Sequence, residues 1–393
     1  FSMVSLVKRF LHLEAASGVI LFCAAILALL MVNSPWQSLY HAFLELPLQL
    51  RIGELDLHKP LLLWINDGFM AIFFLLVGME IKREMQEGSL SSLRQASLPV
   101  IAAIGGMIFP ALLYWLVIRD HAELTSGWAI PMATDIAFAL GVLSLLGSRI
   151  PTALKVFLLA LAIIDDLGAI MVIALVYTDE LHLLPLAIAT GLSVLLLLAN
   201  RMRVMHLGVY LLLGTFLWVA VLKSGIHATI AGVILGFAIP HRRAHPDTPL
   251  RRLEHQLHPW SSYFILPLFA FANAGLSFDG LSWSDLTSGL PLAIIVGLLI
   301  GKPLGVLLTC WSAVKSGLAV LPNNVSWRQL SGLAVLCGIG FTMSIFIAGL
   351  AFDTAGTHFE LARFGILLGS LLAAILGYSL LCRTARTSLI KEQ

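Results

Sequence analysis

Runs of about 17 to 25 apolar residues recur along the chain between short polar stretches, and a helix of that length crosses the roughly 30 Å hydrocarbon layer of a membrane. Twelve such spans can be marked, over residues 15–33, 60–81, 96–118, 128–147, 154–177, 184–200, 206–222, 226–240, 259–276, 290–310, 330–350 and 362–382. Several are short or broken by Gly and Pro. The pattern predicts an all-α polytopic membrane protein with twelve transmembrane helices, built as one membrane domain over 1–393. Between spans one and two the period changes. Residues 48–52 and 54–57 alternate apolar and polar on either side of Gly53, which predicts a small β-hairpin within 45–58. A lone hairpin is marginal in water, so this one packs on its own membrane domain or pairs with a second copy of the chain.

Composition agrees with the spans. The chain is 59% hydrophobic and 12% charged, too little polar surface to cover a soluble globule. A net charge of +2, with no basic run or aromatic platform, gives no case for nucleic acid. Of the 24 Lys and Arg residues, 18 fall on one set of alternating connections, five on the other, and Lys302 lies inside span ten. Positive charge marks the cytoplasmic side, so both termini are expected there and the hairpin outside. The first span follows Lys8 and Arg9 and reads as an uncleaved helix, although the chain begins at Phe1 and its true start is not given by this. Cys23, Cys310, Cys337 and Cys382 lack metal-ligand spacing and read as packing residues.

The first candidate chemistry sits in span five. Asp165 and Asp166 occupy the tenth and eleventh places of a 22-residue apolar run, 156–177. Each Asp at such a centre costs about 2.5 to 3.5 kcal/mol on insertion scales, and neither is needed for folding. Neighbours on a helix diverge by about 100°, so the pair borders one polar cavity from two sides. The plain alternative is a pair that only ties helices together; the functional one is an ion or proton site. Three more charges lie inside spans: Asp135 in span four, Lys302 in span ten, and Asp67 nearer the outer surface of span two, which reads equally as a structural acceptor.

Spans four and eleven share a pattern. Ala133-Thr-Asp-Ile-Ala-Phe-Ala-Leu-Gly141 and Phe341-Thr-Met-Ser-Ile-Phe-Ile-Ala-Gly349 match at Thr134 with Thr342, Phe138 with Phe346, and Gly141 with Gly349. The two spans run in opposite directions, so the repeat is inverted. Helix breakers stand close upstream, Pro131 in one and Gly338 with Gly340 in the other. Unwound backbone at that depth is tolerated only beside protein or a wet cavity, and paired interruptions point to a transporter site. Asp135 would then offset two half-helix N-termini. Lys302 would offset facing C-termini, pair with a carboxylate, or snorkel to the surface; sequence does not choose among these. At the cytoplasmic ends, Glu80, Lys82, Arg83, Glu84 and Glu87 close span two, and Arg251, Arg252, Glu254, His255 and His258 open span nine. This is either a pH sensor or an ordinary wetted helix end.

The motifs quoted above resemble those of bacterial NhaA-type Na+/H+ antiporters, and so do Ala160-Leu-Ala-Ile-Ile-Asp-Asp-Leu-Gly168, Gly301-Lys-Pro-Leu-Gly305 and Cys337-Gly-Ile-Gly-Phe-Thr-Met-Ser-Ile-Phe346. Leu63-Trp-Ile-Asn-Asp67, Leu222-Lys-Ser-Gly-Ile-His-Ala-Thr229, Arg252-Leu-Glu-His255 and Leu266-Pro-Leu-Phe-Ala-Phe-Ala-Asn-Ala-Gly275 extend the likeness over essentially the whole chain. These antiporters are among the proteins from which the inverted-repeat rule was drawn, so the inverted pattern does not test that rule independently. The resemblance implies crossed interrupted helices at spans four and eleven, a homodimer joined through outer hairpins, the bacterial inner membrane, and Na+ or Li+ exchanged for H+ with no cofactor. By position, Asp165 and Asp166 match the ion-binding pair, Asp135 and Lys302 the charges compensating the crossed helix ends, and Thr134 the crossing. A metal-ion site of Asp165, Asp166, Asp135 and Thr134 follows. Glu80, Arg83, Glu84, Arg252, Glu254, His255 and His258 match the family's pH-response cluster. The 241–250 loop carries no such motif.

A carboxyl group deprived of water holds its proton to higher pH, and a second carboxylate nearby adds to this. A hard cation wants charged oxygen, so Na+ and H+ would compete for one site, and a site facing one side at a time turns competition into exchange. The expected function is therefore transport, not catalysis. One alternative is a sodium-coupled symporter of an organic solute on a related inverted-repeat fold, and a passive channel is another. An intramembrane aspartyl protease needs acids on facing helices, whereas here two are adjacent and Gly338-Ile-Gly340 is followed by Phe341.

Overall fold

A computed structural model describes the backbone over 3–287 and 289–391 and the side chains over 15–287 and 289–384. Phe1, and the side chains of Lys8, Arg9, Arg386 and Lys391 that enter the orientation count, lie outside the described residues. Most of the described residues are helical. Among the described residues, eight helices are long and apolar enough to cross a membrane, and up to ten spans result if each of two bent helix pairs is one span. The eight correspond to sequence spans one, two, three, five, six, seven, ten and twelve. Spans eight and nine differ from expectation. The first is an apolar helix of only ten residues, Thr229–Ala238. The second begins as Pro249–Trp260, whose sequence PLRRLEHQLHPW is polar, and its apolar part is short.

Two compact units are formed. One comprises the chain up to Cys23, Ser92–Ala169 and the chain from Phe278 onward; the other comprises Ala24–Ser91 and Ile170–Ser277.

In the first unit, helices Leu93–Ile118 and Gly289–Lys315 lie backbone against backbone. A Cβ on Gly305 would run into the Gly105 carbonyl oxygen, so only glycine permits this approach. Just before Lys302 the second helix widens into a π-helical turn, Gly297–Gly301, a distortion that often accompanies functional positions. Lys302 thereby enters the packed interior. The bent pairs also belong to this unit. A 3-10 segment, Ala122–Met132, ends in extended backbone and resumes as helix Ile136–Ser144 at 45°. Helix Trp327–Leu336 likewise breaks and resumes as Phe341–Ala351 at 44°.

In the second unit the hairpin is present as β1 (Pro47–Ile52) and β2 (Leu55–Pro60), antiparallel with Ile52 opposite Leu55. Gly53 turns the chain at φ +64°, a conformation other residues rarely adopt. The whole of β1 is exposed, whereas Leu57 of β2 is buried. Trp64 donates its indole N–H to the Leu48 carbonyl and stacks on Trp218, which anchors the hairpin to this unit. A core of Leu75, Met79, Leu217, Val221, Leu235 and Leu250 holds the unit's helices together. Cys310 and Cys337 are buried, as packing residues would be, but Cys23 is exposed on its helix.

Candidate functional site

The two breaks of the first unit meet through hydrogen bonds. Asp135 donates its backbone N–H to the Ile339 carbonyl at 2.7 Å, and the Thr134 hydroxyl lies 2.9 Å from the Cys337 carbonyl. The Asp135 N–H and the Ile339 and Cys337 carbonyls are groups that a continuous helix would have satisfied internally, so the breaks complete each other, with the Thr134 hydroxyl helping. Asp135 does more. Its Oδ1 accepts from Phe138 N–H at 3.1 Å, and its Oδ2 accepts from Thr342 N–H at 3.1 Å and from the Thr342 hydroxyl. One carboxylate thus serves the first turns of helices Ile136–Ser144 and Phe341–Ala351, where the helix dipoles favour negative charge. It is buried.

Helix Thr152–Val176 brings Asp165 to the same region. Its Oδ2 accepts from Lys302 Nζ at 2.5 Å and from the Thr134 hydroxyl at 3.0 Å. Thr134 has one proton and two acceptors, Asp165 and the Cys337 carbonyl, so it serves one at a time. Lys302 has no exposed surface, which removes the snorkelling alternative, and its ammonium is directed at a carboxylate. Asp165 Oδ1 is buried and makes no hydrogen bond. A charged oxygen left this way is costly unless something else meets it, so this atom is the natural place for a proton or a small cation. Asp166 is buried beside it in sequence. Among the described residues, no three His, Cys, Asp or Glu side chains gather into a metal-holding cluster. Asp135 directs both oxygens to helix amides and to Thr342.

Sequence reasoning used Thr342 only as a repeat match and missed it as a partner of Asp135. Its correspondence with Thr134 was the available signal: both hydroxyls sit at a break and both face a carboxylate. The Cys337 and Ile339 carbonyls could not be found this way, since every residue has one.

In the second unit, Arg83 gathers part of the predicted cytoplasmic cluster. Its Nε lies 3.0 Å from both Glu254 oxygens and its Nη1 donates to Glu84 at 2.9 Å, with Glu80 near enough to act on its charge. Glu84 also accepts from the N–H and hydroxyl of Ser89. Arg252 turns elsewhere, to Asp247 at 3.2 Å on the surface, and His255 is exposed. His258 is half-buried. Asp67 pairs with Lys59 at 3.2 Å and lies 3.6 Å from His227 Nε2.

Comparison with known proteins bears on this arrangement. The family described as Na+/H+ antiporter 1 matches residues 8–381. A protein of Tolumonas auensis named Na(+)/H(+) antiporter NhaA is 72% identical over 391 residues, covering 100% of this chain and 98% of its own. Proteins of the same name from Citrobacter koseri and Haemophilus ducreyi are 59% and 55% identical, covering 94% and 99% of this chain and 96% and 100% of their own. With matching extending through both helix breaks, the three buried acids and the buried lysine, this chain belongs to the Na+/H+ antiporter family.

Proposed function

We propose that this chain exchanges cytoplasmic Na+, or Li+ in its place, for external H+ across the bacterial inner membrane, with Asp165 and Asp166 as the shared binding pair. The observation that carries the reading is the buried, unbonded Asp165 Oδ1 on a carboxylate whose other oxygen is held by Lys302 and Thr134. Na+ entering there would take Oδ1, with Asp166 and the Thr134 oxygen as further hard ligands once the Thr134 proton turns to the Cys337 carbonyl. Proton uptake removes the charge that holds Na+, so one ligand expels the other. Asp135 compensates the positive ends of the two broken helices, which cross here as parts of an inverted repeat within a twelve-helix transport domain. Lys302 holds the Asp165 charge while the site is without cation.

Two protons from Asp165 and Asp166 enter for each Na+ that leaves, Lys302 being able to supply one of them, so the exchange moves net positive charge inward. Both termini are cytoplasmic, the protein acts as a homodimer through its outer hairpins, and Glu80, Arg83, Glu84, Arg252, Glu254, His255 and His258 tune its activity to pH. A symporter of an organic solute draws no support from the relatives, which are named as antiporters. The test is Na+-driven proton movement in sealed proteoliposomes between about pH 6.5 and 8.5, near which carboxyl and imidazole groups of this kind titrate. Na+, but not K+, should dissipate a preset pH gradient, and Asp165→Asn should be silent. Na+ flux without proton movement would overturn the reading.

A further inference from the structure

Helix Phe341–Ala351 begins the second half of a broken span without a cap of its own. Its N-cap is Gly340, which has no side chain to offer the first amides. A larger residue is barred there. A Cβ on Gly340 would run into the Ser344 hydroxyl, which is held in place by donating to the Ile130 carbonyl at 2.7 Å. The other resumed helix, Ile136–Ser144, differs: Asp135 is its own N-cap and accepts from Phe138 N–H. The amides of Phe341 and Thr342 therefore need acceptors from elsewhere in the fold, because hydrocarbon offers none.

Asp135 takes the Thr342 amide. The Phe341 amide goes to a residue outside the quoted motifs and outside the ion site: it donates to Ser370 Oγ at 3.0 Å. Ser370 lies on helix Thr357–Lys391 and is buried. Phe341 sits at φ +20°, outside the favoured regions of a residue with a Cβ, so the direction of its N–H is set by the contact and not by helical preference. Its ring packs on that of Phe138 at 5.6 Å between centroids, which joins the two resumed helices. The segment that ends at this amide serves the site at several points. The Cys337 carbonyl meets the Thr134 hydroxyl, the Ile339 carbonyl accepts from Asp135 N–H, and Thr342 donates to the Asp135 carboxylate.

We propose that Ser370 is a positioning residue for Na+ binding: it caps helix Phe341–Ala351 from helix Thr357–Lys391, and so fixes the Cys337 carbonyl where it can take the Thr134 proton. This role rests on the antiport reading, in which Thr134 offers its oxygen to Na+ once that proton turns from Asp165 to Cys337. Without the Ser370 hydroxyl, Phe341 relaxes toward helical φ to find its N–H another acceptor, and residues 337–342 turn with it. The Cys337 carbonyl is displaced, the Thr134 proton stays on Asp165 Oδ2, and Na+ loses one ligand. Asp165, Asp166 and Lys302 keep their own contacts, so the loss falls on binding and not on the steps that follow it.

Transport by the intact protein in proteoliposomes at about pH 8.5, where carboxyl groups of this kind are largely ionised, separates positioning from packing. Ser370→Ala should raise the Na+ KM about fivefold, the size of one neutral hydrogen bond, with the maximal rate within about twofold of the parent. Ser370→Cys, close in volume but a weak acceptor, should do the same, and Ser370→Thr, which keeps the hydroxyl, should retain the parent KM. Hydrogen exchange reads the cap without assuming transport: amides 341 and 342 should lose about tenfold protection in Ser370→Ala and Ser370→Cys and keep it in Ser370→Thr. An unchanged KM in Ser370→Ala or Ser370→Cys overturns the role in Na+ binding, and so does a fall in maximal rate at constant KM shared by all three variants. Unchanged protection overturns the cap itself, as does a parent Phe341 amide that exchanges like an unprotected peptide, a result that stands even if the variants fail to fold. A parent chain that moves no protons in response to Na+ defeats the antiport reading instead, and the exchange result still decides the cap.

Discussion

Lys302 and Asp165 stabilise each other only as a pair. Each charge is fully removed from water, and the 2.5 Å contact offsets a desolvation that neither bears alone. Removing one partner from such a pair costs about 3 to 5 kcal/mol, whereas removing both is far milder. Lys302→Met should therefore lower the thermal midpoint of the purified protein more than the double variant with Asp165→Asn does. Additive losses, read in a double-mutant cycle, would show that the two do not act as a pair. Thr134 makes a finer test. Thr134→Val leaves Asp165 Oδ2 to Lys302 and the Cys337 carbonyl without its hydroxyl donor, a change of about 1 to 3 kcal/mol. The apparent Na+ affinity should fall about tenfold or more in the transport assay, with the protein still folded. The acids and the lysine were legible from their position in apolar runs, because a charge in hydrocarbon is costly enough to mark its place in the sequence. Thr342 and the carbonyls of Cys337 and Ile339 were not, since hydroxyls and peptide groups are unremarkable in any sequence.

The helix breaks are where local chemistry and long-range contact have to agree. Pro131, Gly338 and Gly340 announce that the helices are weak, but a weak helix still forms unless its freed amides and carbonyls find partners. Those partners come from the other break, about 200 residues away, and from Asp135. Thr342→Val removes the hydroxyl while leaving its amide on Asp135, so helix Phe341–Ala351 should lose rigidity at its first turn; faster hydrogen exchange at 341–344 would register this. The packing beside them is equally specific. Gly305→Ala would press a methyl group on the Gly105 carbonyl, and overpacking of this kind costs about 1 to 3 kcal/mol. Loss of thermal stability in detergent measures it. Spans eight and nine show the limit of reading elements from apolar runs. At Gly232 and Gly236, helix Thr229–Ala238 nests against the backbone of Ala71 and Leu75, a contact no run length reports.

At the scale of the whole molecule, the two protons proposed against one Na+ would make the exchange electrogenic, and a potential of 100 mV is worth about 2.3 kcal/mol per net charge moved. Current across a membrane loaded with the protein should reverse at the potential set by that ratio; electroneutral exchange would refute it. If the proposed dimer pairs through the exposed edge of β1, deleting the hairpin, residues 47–60, should leave the helices folded and give a monomer in light scattering where the parent chain gives a dimer. Membrane residence, helical class, the hairpin and the buried charges were determined by the sequence alone, since apolar length, period and the cost of charge in hydrocarbon are local properties. Only the tertiary structure decided that Lys302 pairs with Asp165, that one Asp135 serves two helix starts, that Arg83 gathers Glu84 and Glu254 while Arg252 turns to Asp247, and that Ser370 receives the Phe341 amide. Lys302 with Asp165, Asp135 with Thr342, Arg83 with Glu254 and Ser370 with Phe341 join residues far apart along the chain, and the local pairs among the rest, like these, depend on distances of a few tenths of an ångström that folding alone sets.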